Sequence, residues 1–262
     1  MKPSICIEMI FTELSFARRI EEVARAGFRF VEFWDWRDKD LLELQEVCSS
    51  CAVHVSNFSG QRLGDLIASE THPKLLQDFL ETLETAKQLK TNTLMVLTNE
   101  LGEMGVVRNA YWEKTVEEKT ANLQKGLELL LNHTPEGMTI VLEPLNTVHD
   151  HKGYFLSDVG RAADLVADLK DDRVRVLCDL YHQGMMGDDL LAIIERYIGQ
   201  IGYFHVADFP GRHEPGTGSA DWRGVLRAIQ KMDYHGFVGF EYSPARSARE
   251  SLCRIMDLWQ SL

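Results

Sequence analysis

No stretch of this chain stays apolar for the ~20 residues that a membrane-spanning helix requires. The N-terminus has no basic flank leading into an apolar core. Membrane attachment and secretion are therefore not expected, and the chain reads as cytoplasmic. Prolines are few and scattered, seven in 262 residues, and no Pro-, Gly- or Ser-rich run marks a linker. Length and the missing linker predict one domain over residues 1–262. Basic residues are in deficit, with 28 Lys and Arg against 40 Asp and Glu and a net charge of −12. Such an excess of acid repels a phosphate backbone unless a basic cluster offsets it, and no cluster is visible, so nucleic acid is not an expected partner.

Cysteine is also sparse, with five residues. Cys6 and Cys178 lie inside apolar runs and read as small core residues. Cys48 and Cys51 form a C-x-x-C at a helix end. A zinc ribbon needs a second such pair, and a thioredoxin-like site needs the pair between a strand and a helix start, so neither is expected. Free thiols agree with a reducing compartment.

What is present is an alternation of short apolar runs and long amphipathic stretches. Eight runs read as strands: Ser4–Met9, Phe28–Phe33, Ala52–Asn57, Thr93–Thr98, Met138–Glu143, Val174–Asp179, Ile201–Ala207 and Phe237–Tyr242. Each is apolar at nearly every position, as strands buried on both faces are. Helical patterns fill the gaps, at about 15–26, 39–51, 72–90, 111–132, 157–169, 188–199, 221–232 and 245–259. Ser15 is a plausible cap and Gly27 a stop for the first. The first strand–helix turn has no glycine-rich phosphate fingerprint, which weighs against a dinucleotide-binding sheet. Eight repeats in this length predict an α/β fold closed as a (β/α)8 TIM barrel.

Four successive strand ends carry one ionisable group each: Glu143, Asp179, His205 and Glu241. In a closed barrel those ends are neighbours at one mouth. Three carboxylates and an imidazole crowded together repel one another, and a divalent cation at their centre resolves the conflict. The oxygen-rich donor set ranks Mn²⁺ or Mg²⁺ first, with Co²⁺, Fe²⁺, Ni²⁺ and Zn²⁺ compatible. His182, three residues beyond Asp179 in an expected loop, is placed to donate a hydrogen bond to a substrate oxygen. Arg212 in the loop after strand seven is placed to clamp a carboxylate or hydroxyl, although a surface pair with Glu214 is the simpler alternative. Trp34 and Asn57, at the ends of strands two and three, are candidate substrate contacts, the aromatic ring as the apolar side of a small polyol pocket, with ordinary packing against the helices as the alternative. Glu8 is expected to pair with a neighbour, and His149-Asp150-His151 reads as a flexible polar loop. Met104, Val106 and Val107 hint at an interface between copies, a possible homo-oligomer.

At Glu143-Pro144-Leu145-Asn146, Asp179-Leu180-Tyr181-His182, Arg212-His213-Glu214-Pro215-Gly216-Thr217-Gly218 and Glu241-Tyr242, the chain resembles the xylose-isomerase-like TIM barrels, and within them the hydroxypyruvate isomerases. The resemblance covers nearly the whole chain. It implies that Glu143, Asp179, His205 and Glu241 hold the metal. It implies too that Glu143 and Glu241 are the acid/base pair and that His182 and Arg212 contact substrate. The implied reaction isomerises a small hydroxy-carbonyl or sugar-like substrate through a cis-enediolate. His205 stands where hydroxypyruvate isomerases typically carry glutamine. Histidine there is the pattern of ketose 3-epimerases and inosose dehydratase, which keeps those activities open. A DNA-repair enzyme of the endonuclease IV type needs extra histidines that strands three and four do not supply at their ends. A non-catalytic sugar binder has no need of two opposed glutamates.

Overall fold

A computed structural model describes residues 1–262. Its strands are β1 (Lys2–Cys6), β2 (Phe30–Glu32), β3 (His54–Ser59), β4 (Thr93–Val96), β5 (Thr139–Leu142), β6 (Val174–Asp179), β7 (Ile201–Val206) and β8 (Phe237–Phe240). Between and after them lie α1 (Phe16–Arg25), α2 (Leu41–Cys51), α3 (His72–Leu89), α4 (Val116–Leu131), α5 (Val159–Asp168), α6 (Leu180–Met185), α7 (Leu190–Tyr197), α8 (Trp222–Lys231) and α9 (Ala248–Gln260). All strands are parallel, in the order β1 to β8, and β1 pairs with both β2 and β8, so the sheet closes as the apolar pattern predicts. No helix is long and apolar enough to cross a membrane.

Local chemistry sets the helix ends. Asp40 opens α2 by accepting from the Leu42 and Glu43 N–H groups. Thr115 and Glu118 form a reciprocal capping box that starts α4, five residues later than the apolar pattern suggests. Tyr111 cannot begin that helix because its backbone is left-handed (φ 49°), and its hydroxyl instead donates to Asp65. The inner faces of the helices, such as Ile20 and Val23 of α1 and Leu123, Leu127 and Leu130 of α4, join the strands in one continuous core.

Two departures from expectation position the functional end. Strands β5 and β8 stop one and two residues early, so Glu143 and Glu241 lie just beyond the ladder, where the chain turns outward. The expected loop after β6 is the short helix α6, and Asp179 caps it by accepting from the Tyr181 N–H at 2.8 Å. Capping occupies one carboxylate oxygen of Asp179 and leaves the other facing the mouth.

Candidate active site

The two ends of the barrel differ. At the end where strands begin, a shallow depression is lined by Thr93, Thr139, Ile201 and neighbours. At the other end a cavity of about 420 Å³ opens over Glu143 and Glu241. Trp34, Arg62, Leu145, His151, His182 and Arg212 form part of its wall. The chemistry is concentrated at this second end, as barrels place it.

Glu143, Asp179, His205 and Glu241 are all buried, and each offers one ligand atom within 4.8 Å of the others. Nδ1 of His205 is 3.5 Å from Glu143 Oε1 and 3.5 Å from Glu241 Oε2, and it has no hydrogen-bond partner. Three carboxylates meet one guanidinium here, that of Arg212, which contacts Glu241 and lies 3.2 Å from Asp179 Oδ2. The excess of buried negative charge, the unpartnered imidazole nitrogen and the O/N donor set fit a divalent cation.

The two glutamates sit in different fields. Burial pushes the Glu143 carboxyl up to about 7, with Glu241 and Asp179 adding to the rise against the pull of His205. Burial also acts on Glu241, but Arg212, His205 and the Trp34 indole N–H that it accepts from hold it below the usual carboxylate range. Two carboxyl groups split in this way suit an acid and a base.

His182 is fully buried, and its neighbours settle its tautomer. Asn146 Oδ1 accepts from the His149 and Asp150 N–H groups, so its Nδ2 is the donor to His182 Nδ1 at 2.7 Å. The proton of His182 therefore sits on Nε2, which has no partner and lies 3.4 Å from Asp179 Oδ2. Burial first, then the cationic Arg212 and the neighbouring His151 and His205, lower its pKa well below 6.5, so the ring is a neutral donor.

Arg212 does not pair with Glu214; it reaches back to Asp179 and Glu241 and stacks its guanidinium over the Tyr181 ring, 4.9 Å from the centroid. Its own left-handed backbone (φ 53°) follows Gly211 (φ 108°), a tight turn that aims the side chain inward. Asp208 stiffens the loop that follows by accepting from the Gly216 and Gly218 N–H groups, both at 2.8 Å. A Cβ on Gly218 would lie 2.8 Å from Asp208 Cγ and nearer still to the Phe209 carbonyl, so this position needs glycine.

Trp34 lines the cavity at 38% exposure. Glu8 pairs with Lys39 at 2.8 Å and accepts from the Trp34 N–H, so it anchors that loop. Asn57 lies inside β3, in register with Glu32, and the cavity wall does not include it; β3 runs two residues further than expected and buries it. In the His149–His151 segment, expected as a polar loop, His149 and Asp150 are exposed while their N–H groups bond to Asn146. His151 is buried, hydrogen-bonded to the Gly105 carbonyl at 2.8 Å, and packed edge-on against His182 at 5.2 Å. That contact ties the loop after β5 to the loop after β4. Met104 is 97% exposed and Val106 is exposed as well, whereas Val107 bridges back to Leu101 and packs on the core.

Comparison with known proteins agrees with this geometry. Residues 20–258 match the family described as xylose isomerase-like TIM barrel. The chain belongs to that family. Among curated relatives, hydroxypyruvate isomerase of Escherichia coli is 28% identical over 259 residues, covering 96% of each chain. Among solved structures, a protein titled AP endonuclease, family 2, from Brucella melitensis superposes with a TM-score of 0.88 at 24% identity, covering 98% of both chains. D-Psicose 3-epimerase from Clostridium cellulolyticum, solved with D-tagatose, gives 0.79 at 16% identity over 100% of this chain and 99% of that one. At those identities the structures share the fold of the xylose isomerase-like barrels, and the residues of the site carry the rest.

Three residues at or beneath the site escape a reading of the sequence: Arg62 of the cavity wall, Glu32, which lies 3.2 Å from His205 Nε2, and Tyr203, whose hydroxyl donates to Glu32. The one available signal is a lone carboxylate in the otherwise apolar run Phe30-Val31-Glu32-Phe33, because a buried charge demands a partner.

Proposed function

We propose that this chain is a metal-dependent isomerase of the hydroxypyruvate isomerase type, acting on a small hydroxy-carbonyl acid. The observation that carries the reading is the convergence of Glu143, Asp179, His205 and Glu241 at the mouth, all four buried with a ligand atom apiece within 4.8 Å of one another. Similarity to hydroxypyruvate isomerase over nearly the full length supports it. So does the cavity wall, where the two guanidinium groups of Arg62 and Arg212 match an anionic substrate.

The four residues would hold Mn²⁺ or Mg²⁺, which supplies a Lewis acid for the substrate carbonyl and its neighbouring hydroxyl. The chain's own groups do the rest. Glu241, kept ionised beside Arg212, removes the proton from the hydroxyl-bearing carbon. Glu143 returns a proton to the adjacent carbon, and the proton of the substrate hydroxyl passes to the former carbonyl oxygen, which completes the exchange; solvent then resets the two carboxyl groups. The Nε2–H of His182 donates to the oxygen on which charge develops. Trp34 covers the substrate's exposed side and steadies Glu241 through its indole N–H.

A second reading, ketose 3-epimerisation, is favoured by His205 in the cluster and by a cavity roomy enough for a six-carbon ketose. It uses the same two glutamates, with the proton returned to the opposite face of the same carbon. Proton NMR in deuterated water with Mn²⁺ and either hydroxypyruvate or D-fructose separates the two. The expected result is conversion of hydroxypyruvate to its aldehyde isomer with solvent deuterium incorporated. Epimerisation of fructose with inert hydroxypyruvate replaces the first reading by the second. Glu143→Gln and Glu241→Gln should each lower kcat by about 10²–10⁴-fold with the fold intact; near-normal turnover in either removes its assigned role.

A further inference from the structure

We infer that Glu32, one layer beneath the mouth, is a positioning residue that fixes which nitrogen of His205 faces the metal. The inference rests on the reading of the four-residue cluster as a metal site, and on nothing about the substrate.

Glu32 ends β2 and His205 lies on β7; both are buried, with Oε1 and Nε2 3.2 Å apart. Neither atom has a hydrogen-bond partner, so the pair is a close contact whose angle falls short of a hydrogen bond. A carboxylate that close favours a proton on the nitrogen it faces, so when the ring gives up one proton to become a ligand, Nε2 keeps its own and Nδ1 is left with the lone pair. Nδ1 is the atom that lies 3.5 Å from both Glu143 and Glu241. The tautomer that suits Glu32 is therefore the one that turns a ligand atom toward the cluster.

Glu32 is itself held in place. Its other oxygen accepts from the Tyr203 hydroxyl, which lies 2.9 Å from Ser56 Oγ. Ser56 Oγ is 2.6 Å from Ser4 Oγ and donates to the Val31 carbonyl at 3.1 Å. Four strands thus contribute to one polar column inside the barrel: β1, β2, β3 and β7. The Tyr203 ring also meets the His205 ring edge-on at 5.5 Å and 88°, which limits its rotation. Apolar filling of this layer would cost less than a buried carboxylate, so the column answers to something other than packing.

An independent feature makes room for the pair. Gly239 of β8 is in register with His205 on one side and Ser4 on the other. A Cβ there would lie 2.7 Å from Glu32 Oε2, 2.8 Å from His205 Cδ2, and closer still to Glu32 Oε1. The absence of a side chain at this one position is what lets carboxylate and imidazole meet.

The test uses Mn²⁺ itself, titrated into metal-stripped full-length protein and followed by the EPR signal of the free ion. Glu32→Gln keeps size and shape, and is expected to weaken binding about 10-fold; Glu32→Leu, about 100-fold. A residue that merely fills space would tolerate the isosteric glutamine. Circular dichroism and thermal melting of the metal-free variants confirm folding, and Tyr203→Phe, which loosens Glu32 without touching it, gives a smaller loss in the same direction. Long-range ¹H–¹⁵N spectra of the Zn²⁺-loaded wild type should show His205 ligating through Nδ1 with Nε2 protonated. Ligation through Nε2, or wild-type Mn²⁺ affinity in Glu32→Gln, overturns the inference while leaving the metal site standing. A wild-type chain that binds no Mn²⁺ overturns both. Tight Mn²⁺ binding without turnover of hydroxypyruvate would remove the proposed reaction and leave Glu32 in its role.

Discussion

His182 in α6 and His205 near the end of β7 are both buried within one site, and they are wired in opposite senses. Asn146 donates to Nδ1 of His182, which sends that ring's proton into the cavity. Glu32 stands at Nε2 of His205, which turns Nδ1 toward the carboxylates. Burial and nearby cations push the pKa of His182 well below 6.5. For His205 burial works in the same direction, but Glu32, Glu241 and Glu143 outweigh it and raise the pKa well above 6.5. The same side chain is a neutral donor in one place and, in the other, is held among carboxylates that favour its charged form. What decides is the residue behind each ring.

The largest expected effect breaks the comparison if it fails. His205→Ala should weaken Mn²⁺ binding by more than about 100-fold, while His182→Ala should leave it almost unchanged and lower kcat by about 10²-fold. Equal loss of metal in both variants would mean that the rings share one role. A pH series sharpens the contrast. Glu143 and His205 both have raised pKa values in the metal-free chain, so the stability they contribute is present at low pH. It is lost as pH rises, for Glu143 between its ordinary 4.5 and about 7. Thermal melts of metal-free protein should therefore fall from about pH 5 to pH 8, and the stabilisation by added Mn²⁺ should grow over the same range. A flat profile would contradict the assignment of those two groups. The smallest effect concerns Arg62, whose guanidinium has only a long 3.7 Å pairing with Asp35. Arg62→Gln should raise KM for hydroxypyruvate about fivefold with kcat little changed, the signature of uniform ground-state binding. An unchanged KM removes Arg62 from substrate recognition.

Much of the fold is legible because burial on both faces leaves a continuous apolar run, and eight such runs separated by helical periods admit few architectures. The four donors are legible for a related reason, since an ionisable group at the end of such a run has to be paid for by something at the mouth. The second layer is not legible. Glu32 lies on a three-residue strand, and which way its side chain points depends on a register shift between Val31 and Glu32 against β3. Tyr203 looks like ordinary core until its hydroxyl is seen to touch Glu32. His151 reads as polar loop because no local pattern announces a bond to Gly105, forty-six residues away. Arg62 sits in a connecting segment whose path over the mouth is set by Asp78, which accepts from its backbone N–H. Contacts made across strands, or between loops, leave little trace in local periodicity.

Gly239 carries a consequence for how this lineage can change. A side chain at that position collides with the Glu32–His205 pair, so the order of substitutions matters. The Glu32 oxygens are the nearest obstacles, with His205 Cδ2 behind them at 2.8 Å, so both side chains must give way before alanine fits, and alanine first is blocked. Substitutions at the three positions, spread over β2, β7 and β8, are therefore coupled although more than two hundred residues separate the first from the last.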